Sequence, residues 1–286
     1  WIVKGAATRF NGLMSGEYDF IVKATDAYLG TLRSMPDITC YSMQTGMINL
    51  VWNKHSTDKY LRLAFQALAN ADDLNTANYG SLYDNDPCFM EKSQPGWYTT
   101  KGEEFFCQND PEKAKELLSE AGYPDGFSTT LWVNDNQSRI EMCQAIQAML
   151  LDIGVQCSVE VLEFGSYISR TTAGEHDMAY FGWTTSSGDA DYTYYSLEHS
   201  TQQGAAGNRS FIADPDLDAL IEEARSNTDE SKRKDLYKDI AIMLAEINNN
   251  IPVFYSAINV GANKKVEGFV MDSNGYHNLN QVKVAQ

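Results

Sequence analysis

TTLWVNDNQSRIEMCQAIQAMLLDIGVQCSVEVLEFGSYISRTTAGEHDMAYFGW, residues 129–183, decides the fold class. Thr129 to Val133 is rich in β-formers and predicts a strand. Apolar residues then return at Ile140, Cys143, Ile146, Leu150 and Ile153, the three- and four-residue spacing of a helix, and Gly154 closes it. Val155, Cys157, Val159 and Val161 alternate with polar neighbours, the period of two that a half-buried strand needs. A short helix from Ser166 to Ala173, ended by Gly174, and an apolar run from Met178 to Trp183 complete the order β-α-β-α-β. Strands joined by single helices imply a mostly parallel α/β sheet with right-handed crossovers. In such sheets ligands bind beyond the strand C-termini. That rule singles out Asn134 to Asn136, Glu163 to Gly165 and, above all, a long loop from Thr184 to Tyr195.

Working outward, Asp110 caps a helix whose first position is Pro111 and whose apolar face is Ala114, Leu117, Leu118 and Ala121; Gly122 and Pro124 mark its exit. After the loop, Asp214 and Pro215 open a helix with Leu217, Leu220, Ile221 and Ala224 on one face. A second helix runs from Asp229 to Asn248 and leads into a short strand, Ile251 to Tyr255. Residues 1–53 predict a helix from Ala7 to Ser15 and strand-like pieces at Asp19 to Val22 and Met47 to Trp52. No internal repeat or low-complexity segment is present.

A chain of 286 residues exceeds the usual single domain, and 43% hydrophobic with 12% aromatic residues supplies a real core. No apolar run reaches membrane-spanning length. A formal net charge of −17 disfavours nucleic acid and anionic lipid as partners. The chain opens at Trp1 with no basic n-region or apolar h-region, so any targeting segment is expected upstream. The five cysteines show no CxxC pair. Cys143 and Cys157 read as buried apolar residues, while Cys88 and Cys107 flank a stretch in which a bridge is compatible with an oxidising compartment.

GxSxG, Walker, GxGxxG and HExxH motifs are all absent. His55, His176, His199 and His277 are scattered without ligand spacing, so neither a metal site nor a cofactor is expected. Asp189 and Asp191 sit two apart in the loop and form a candidate acid pair, for ligand binding or for a hydrolase. Trp183 and Tyr192, with Tyr194 and Tyr195, offer flat walls and hydroxyls to a bound solute. The sequons at Asn136 and Asn208 carry no weight.

The stretch from Asp110 to Phe127 resembles a signature of the bacterial family 5 extracellular solute-binding proteins, the dipeptide, oligopeptide and nickel-binding receptors of ABC importers. The resemblance continues through Ala145-Ile146-Gln147, Ile153-Gly154-Val155, Gly174-Glu175-His176-Asp177, Gly182-Trp183, Asp214-Pro215-Asp216-Leu217-Asp218 and Ile251-Pro252-Val253-Phe254-Tyr255. Upstream, Ser15-Gly16-Glu17-Tyr18-Asp19 resembles the family's GE-x-D segment, and Asp58 with Leu61-Arg62-Leu63-Ala64-Phe65 a degraded form of its DxRVRQA helix.

The resemblance implies a periplasmic-binding-protein-like type II fold: residues 53–252 as the second lobe, with 1–52 and 253–286 as part of a first lobe whose N-terminal portion is missing. It implies a peptide or other small solute held in an interlobe cleft, an ABC transporter permease as membrane partner, and a periplasmic or extracellular location by lipid anchor or secretion. Candidate ligand-binding residues are Asn53, Asn134, Asn136, Trp183, Thr184, Thr185, Ser186, Asp189, Asp191 and Tyr192. Peptide-binding members commonly carry an Asp three residues after the Gly-Trp pair, for the ligand's ammonium; Ser186 stands there. Recognition of a free amine then falls to Asp189 or Asp191, or is absent. The alternative is a hydrolase using those two acids.

Overall fold

The computed structural model describes residues 2–53, 61–62, 64–65, 110–204, 207–272 and 275–285. It divides into two compact units, residues 1–46 with 256–286, and Met47–Tyr255. The chain passes between them twice, inside strand β2 (Ile38–Trp52) and inside strand β6 (Asn250–Asn263). Cys88 and Cys107, whose bridging the sequence leaves open, and Asp58 lie outside the described residues.

In the first unit α1 (Ala6–Ser15) and α2 (Asp26–Ser34) flank β1 (Phe20–Val22). β1 pairs antiparallel with β6, Ile21 opposite Gly261. Leu13, Ile21, Leu29, Leu32, Val260 and Phe269 are buried there, and Phe269 stands edge-on to Phe20 and Tyr41. The sequence reading left out α2 and residues 38–46 of β2. The helix is nine residues long with Gly30 at its middle, and Leu29 and Leu32 alone mark its inner face.

The second unit is built by the β-α-β-α-β stretch. α3 (Pro111–Glu120) starts where expected, its cap Asp110 accepting the Lys113 N–H at 2.9 Å. Then follow β3 (Ser128–Asn134), α4 (Gln137–Asp152), β4 (Gln156–Leu162), α5 (Phe164–Thr172) and β5 (Met178–Thr184). β3 pairs parallel with both β4 and β5, as the crossovers require. β2 lies on the other side of β5. It runs antiparallel, since the Asn53 N–H donates to Asp177 C=O while Ile48 lies across from Gly182. The sheet is therefore mixed.

Helices cover both faces. Trp132 packs with Tyr167 of α5, Val51, Ala179 and Phe181, so the period of two sends Leu131 and Val133 to the opposite face, where α4 lies. Three further helices, α6 (Ala190–Glu198), α7 (Pro215–Ser226) and α8 (Glu230–Ile247), share a second core of Tyr194, Leu197, Leu217, Ile221, Tyr237, Ile240 and Leu244.

α6 corrects one expectation: the loop after Trp183 ends at Asp189, not at Tyr195. Thr193 and Tyr194 are buried with Ala190 and Leu197 at helical spacing, but a threonine and a tyrosine on the inner face hide that period in a hydrophobicity pattern.

Cys143 and Cys157 are buried as read. Burial pushes the Cys157 thiol up to about 11 and raises Cys143 as well. In the native protein at pH 8 iodoacetamide should leave both unmodified, and in urea label both, as peptide mass spectrometry would show.

Candidate ligand-binding site

Parallel strands β3 and β5 end side by side, so the residues just past them share one rim of the sheet. Asn134 is the last residue of β3 and is buried. Its Oδ1 accepts from Arg139 Nη1 at 3.1 Å, while Asn136, the N-cap of α4, accepts the Arg139 backbone N–H at 3.2 Å. Two of the expected asparagines thus hold one arginine. Its guanidinium lies over β5, where a Cβ on Gly182 would come within 2.9 Å of Nη2. Among the described residues Arg139 has no carboxylate partner.

One residue on, Trp183 stacks on Tyr192, ring centroids 5.3 Å apart at 23°. Trp183 Nε1 donates to Thr193 Oγ1 at 3.1 Å, and the same hydroxyl is 2.6 Å from Thr185 Oγ1. Thr185 is buried by that contact, whereas Thr184, Ser186 and Tyr192 are exposed. Tyr194 is core: fully buried and stacked on Tyr237. Tyr195 lies under the Arg225 guanidinium, 3.8 Å from its ring centroid.

The two loop acids are both matched by arginines. Asp189 caps α6 through the Asp191 N–H and accepts from Arg233 through both oxygens, at 2.9 and 3.2 Å. Burial raises its carboxyl, but the Arg233 bonds and the Asp191 N–H outweigh that and hold it below its ordinary value. Asp191 lies 3.5 Å from Arg225 Nε; burial raises its pKa, with Arg225 opposing.

Glu163 caps α5 on the Ser166 N–H at 3.0 Å. Asn53 stands apart from the other candidates. β2 is antiparallel to β5, so its C-terminal end lies beside Asp177, at the start of β5, and the Asn53 side chain donates to Gly174 C=O.

A sequence model described as "Bacterial extracellular solute-binding proteins, family 5 Middle" matches residues 1–205. The chain belongs to this family. Heme-binding protein A of Haemophilus influenzae is 30% identical over 285 residues, 96% of this chain and 51% of its own length. The dipeptide-binding protein of Escherichia coli K12 is 34% identical over 182 residues, 61% of this chain and 34% of its own. Two solved structures share the fold. HbpA2 from Haemophilus parasuis has a TM-score of 0.86 at 26% identity, over 100% of this chain and 57% of that one. DppA from Helicobacter pylori, in complex with peptide STSA, has a TM-score of 0.84 at 25%, over 99% and 56%. The chain spans about half the length of these relatives, or less. The fold is that of the type II periplasmic binding proteins.

Against other family 5 proteins, nothing supports the hydrolase alternative. The relatives are binding proteins, and both oxygens of Asp189 already accept from Arg233. Sequence reasoning missed Arg139, Thr193, Arg225 and Arg233. Thr193 lies inside the stretch Thr184 to Tyr195 that the strand-end rule selects and Arg139 three residues past Asn136, whereas Arg225 and Arg233 lie far from every selected segment.

Proposed function

We propose that this chain is part of the solute-binding subunit of an ABC importer, and that it takes a peptide or other small solute at the C-terminal ends of β3 and β5. One observation carries the reading: past the ends of β3 and β5 separate elements supply an aromatic wall, Trp183 on Tyr192, and a guanidinium, Arg139, with no carboxylate partner among the described residues. Flat apolar surface plus one fixed charge is the usual composition of a small-molecule site. Residues 53–252 then form one lobe, 1–52 and 253–286 belong to the other, and the solute is gripped by closure. The importer role carries with it a membrane permease as partner and a location in the periplasm or on the outer face of the cell. No helix among the described residues is long and apolar enough to cross a membrane.

The charge arrangement also orders the solutes. Asp189 and Asp191 each face an arginine, and Ser186 supplies no charge, so a solute carboxylate finds Arg139, while a solute ammonium finds no unpaired acid among residues 184–191. The test is calorimetric titration of the full-length protein with a panel of di- and tripeptides, each with a free and an N-acetylated amino terminus. N-acetylation should leave affinity within a few fold. Arg139→Met should weaken the best binder about thirtyfold, ~2 kcal/mol, the scale of a charge-assisted hydrogen bond. A panel without a binder, or turnover of any member, would overturn the reading.

A further inference from the structure

Arg233 lies on the first turn of α8, outside the rim, and one guanidinium there joins three elements. Nη1 and Nη2 fork onto Asp189 at 3.2 and 2.9 Å. Nη2 also donates to Tyr237 Oη on α8 at 2.6 Å, and Nε donates to the Ala224 carbonyl in the last turn of α7 at 3.0 Å. Asp189 in turn caps α6 and is the last residue of the loop that follows Trp183.

That loop is short. Thr185 at its start is tied to buried Thr193 of α6, and Asp189 at its end is tied to Arg233, which leaves Ser186, Ser187 and Gly188 between an anchor on α6 and one on α8. Gly188 adopts φ +71°, a left-handed turn that lets so short a span close. With both ends fixed, the span has little conformational freedom left to lose when a solute docks, and ordering costs of that kind subtract directly from affinity. Lysine cannot reproduce the planar fork that meets both carboxylate oxygens.

We propose that Arg233 is a positioning residue: without touching the solute, it sets affinity by holding the Thr185–Gly188 loop in its binding geometry through Asp189. This rests on the site at the C-terminal end of β5 described above, and the test separates the two. In the full-length protein, with the tightest binder of the peptide panel as probe, Arg233→Met and Asp189→Asn should each weaken binding about tenfold. Arg233→Lys should fall between these and the wild type. The double variant should bind no worse than either single one, because both remove the same tie.

Amide hydrogen exchange supplies the readout that a loss of overall stability would not give. Exchange should quicken at residues 185–191 in Arg233→Met and stay unchanged in the middle of α8. Trp183→Ala is the control for the site itself. If it binds the probe like the wild type, the site reading fails. If it abolishes binding while Arg233→Lys and Asp189→Asn bind like the wild type, the Arg233 proposal alone is wrong. Additive losses in the double variant, or exchange that quickens throughout α8, would also overturn it. Should Arg233→Met not fold, Arg233→Lys and Asp189→Asn carry the same comparison.

Discussion

Gly126→Ala should destabilise the Met47–Tyr255 unit by about 3–5 kcal/mol, a large effect for a single methyl group. Gly126 has φ +78° and packs backbone to backbone against Gly154, so an added Cβ would meet the Gly154 carbonyl oxygen at 2.0 Å and its carbon at 2.5 Å. Backbone cannot swing away as a side chain does. The contact lies just before the parallel ladder in which the Gln156 N–H donates to Phe127 C=O and Ser128 pairs with Gln156. Forcing the two turns apart would disturb the start of β3 and β4 together. Gly154→Ala is the control: its nearest neighbour would be Asp125 O at 3.5 Å, an ordinary contact. That variant should lose only about 1–2 kcal/mol for its left-handed backbone. Urea unfolding followed by circular dichroism compares them, and equal losses would mean that the close approach of the two turns is not what the glycine serves.

Those glycines also show why so much of the second unit was legible. Gly122 and Gly154 follow runs with unmistakable helical period, and Asp110-Pro111 and Asp214-Pro215 announce helix starts by local chemistry alone. Caps, stops and periodicity are short-range, and a parallel β-α-β-α-β order follows from them. The misses share the opposite property. α2 hides because Gly30 interrupts it, and α6 because tyrosine and threonine make up part of its inner face. The place of Asn53, beside the start of β5, is likewise set by the pairing of β2 with β5, more than a hundred residues away.

The same distance separates the legible from the illegible part of the site. Trp183, Asn134 and Asn136 could be named because the strand-end rule needs only element order. Arg225 and Arg233, which decide what Asp191 and Asp189 are able to do, come from α7 and α8, and no local pattern links them to the loop. Two acids in a candidate binding loop invite the reading that they meet a cation in the solute. The fold places an arginine beside each, and Asp189 also caps α6.

Glu198, at the end of α6, should make stability depend on pH in the direction opposite to most carboxylates. It is 1% exposed, and among the described residues its carboxylate oxygens accept from the amides of Asn249 and Asn250, at 2.6 and 2.8 Å. No charged group among the described residues pairs with it, and neighbouring His199 turns towards Asp218 and Glu222. Burial therefore dominates, the two amides offset it in part, and the carboxyl is pushed up to about 7 from 4.5. The native state then holds a proton that the unfolded chain releases between those values. Stability from this group is full below pH 4.5, falls by about 1.4 kcal/mol per unit as pH rises, and is fully lost above 7, about 3 kcal/mol in all. His176 opposes it. Buried and lowered to about 4 from 6.5, it is neutral in the fold, so its contribution rises over pH 4 to 6.5. The wild type should accordingly change little between pH 4.5 and 6.5 on account of these two groups, whereas Glu198→Gln, neutral at every pH, should gain stability across that range. Urea midpoints of both proteins at pH 4.5, 5.5, 6.5 and 8 isolate the carboxyl as a difference. That difference should grow by about 3 kcal/mol in favour of the variant from the lowest pH to the highest, and parallel profiles would mean that Glu198 is ionised in the fold throughout.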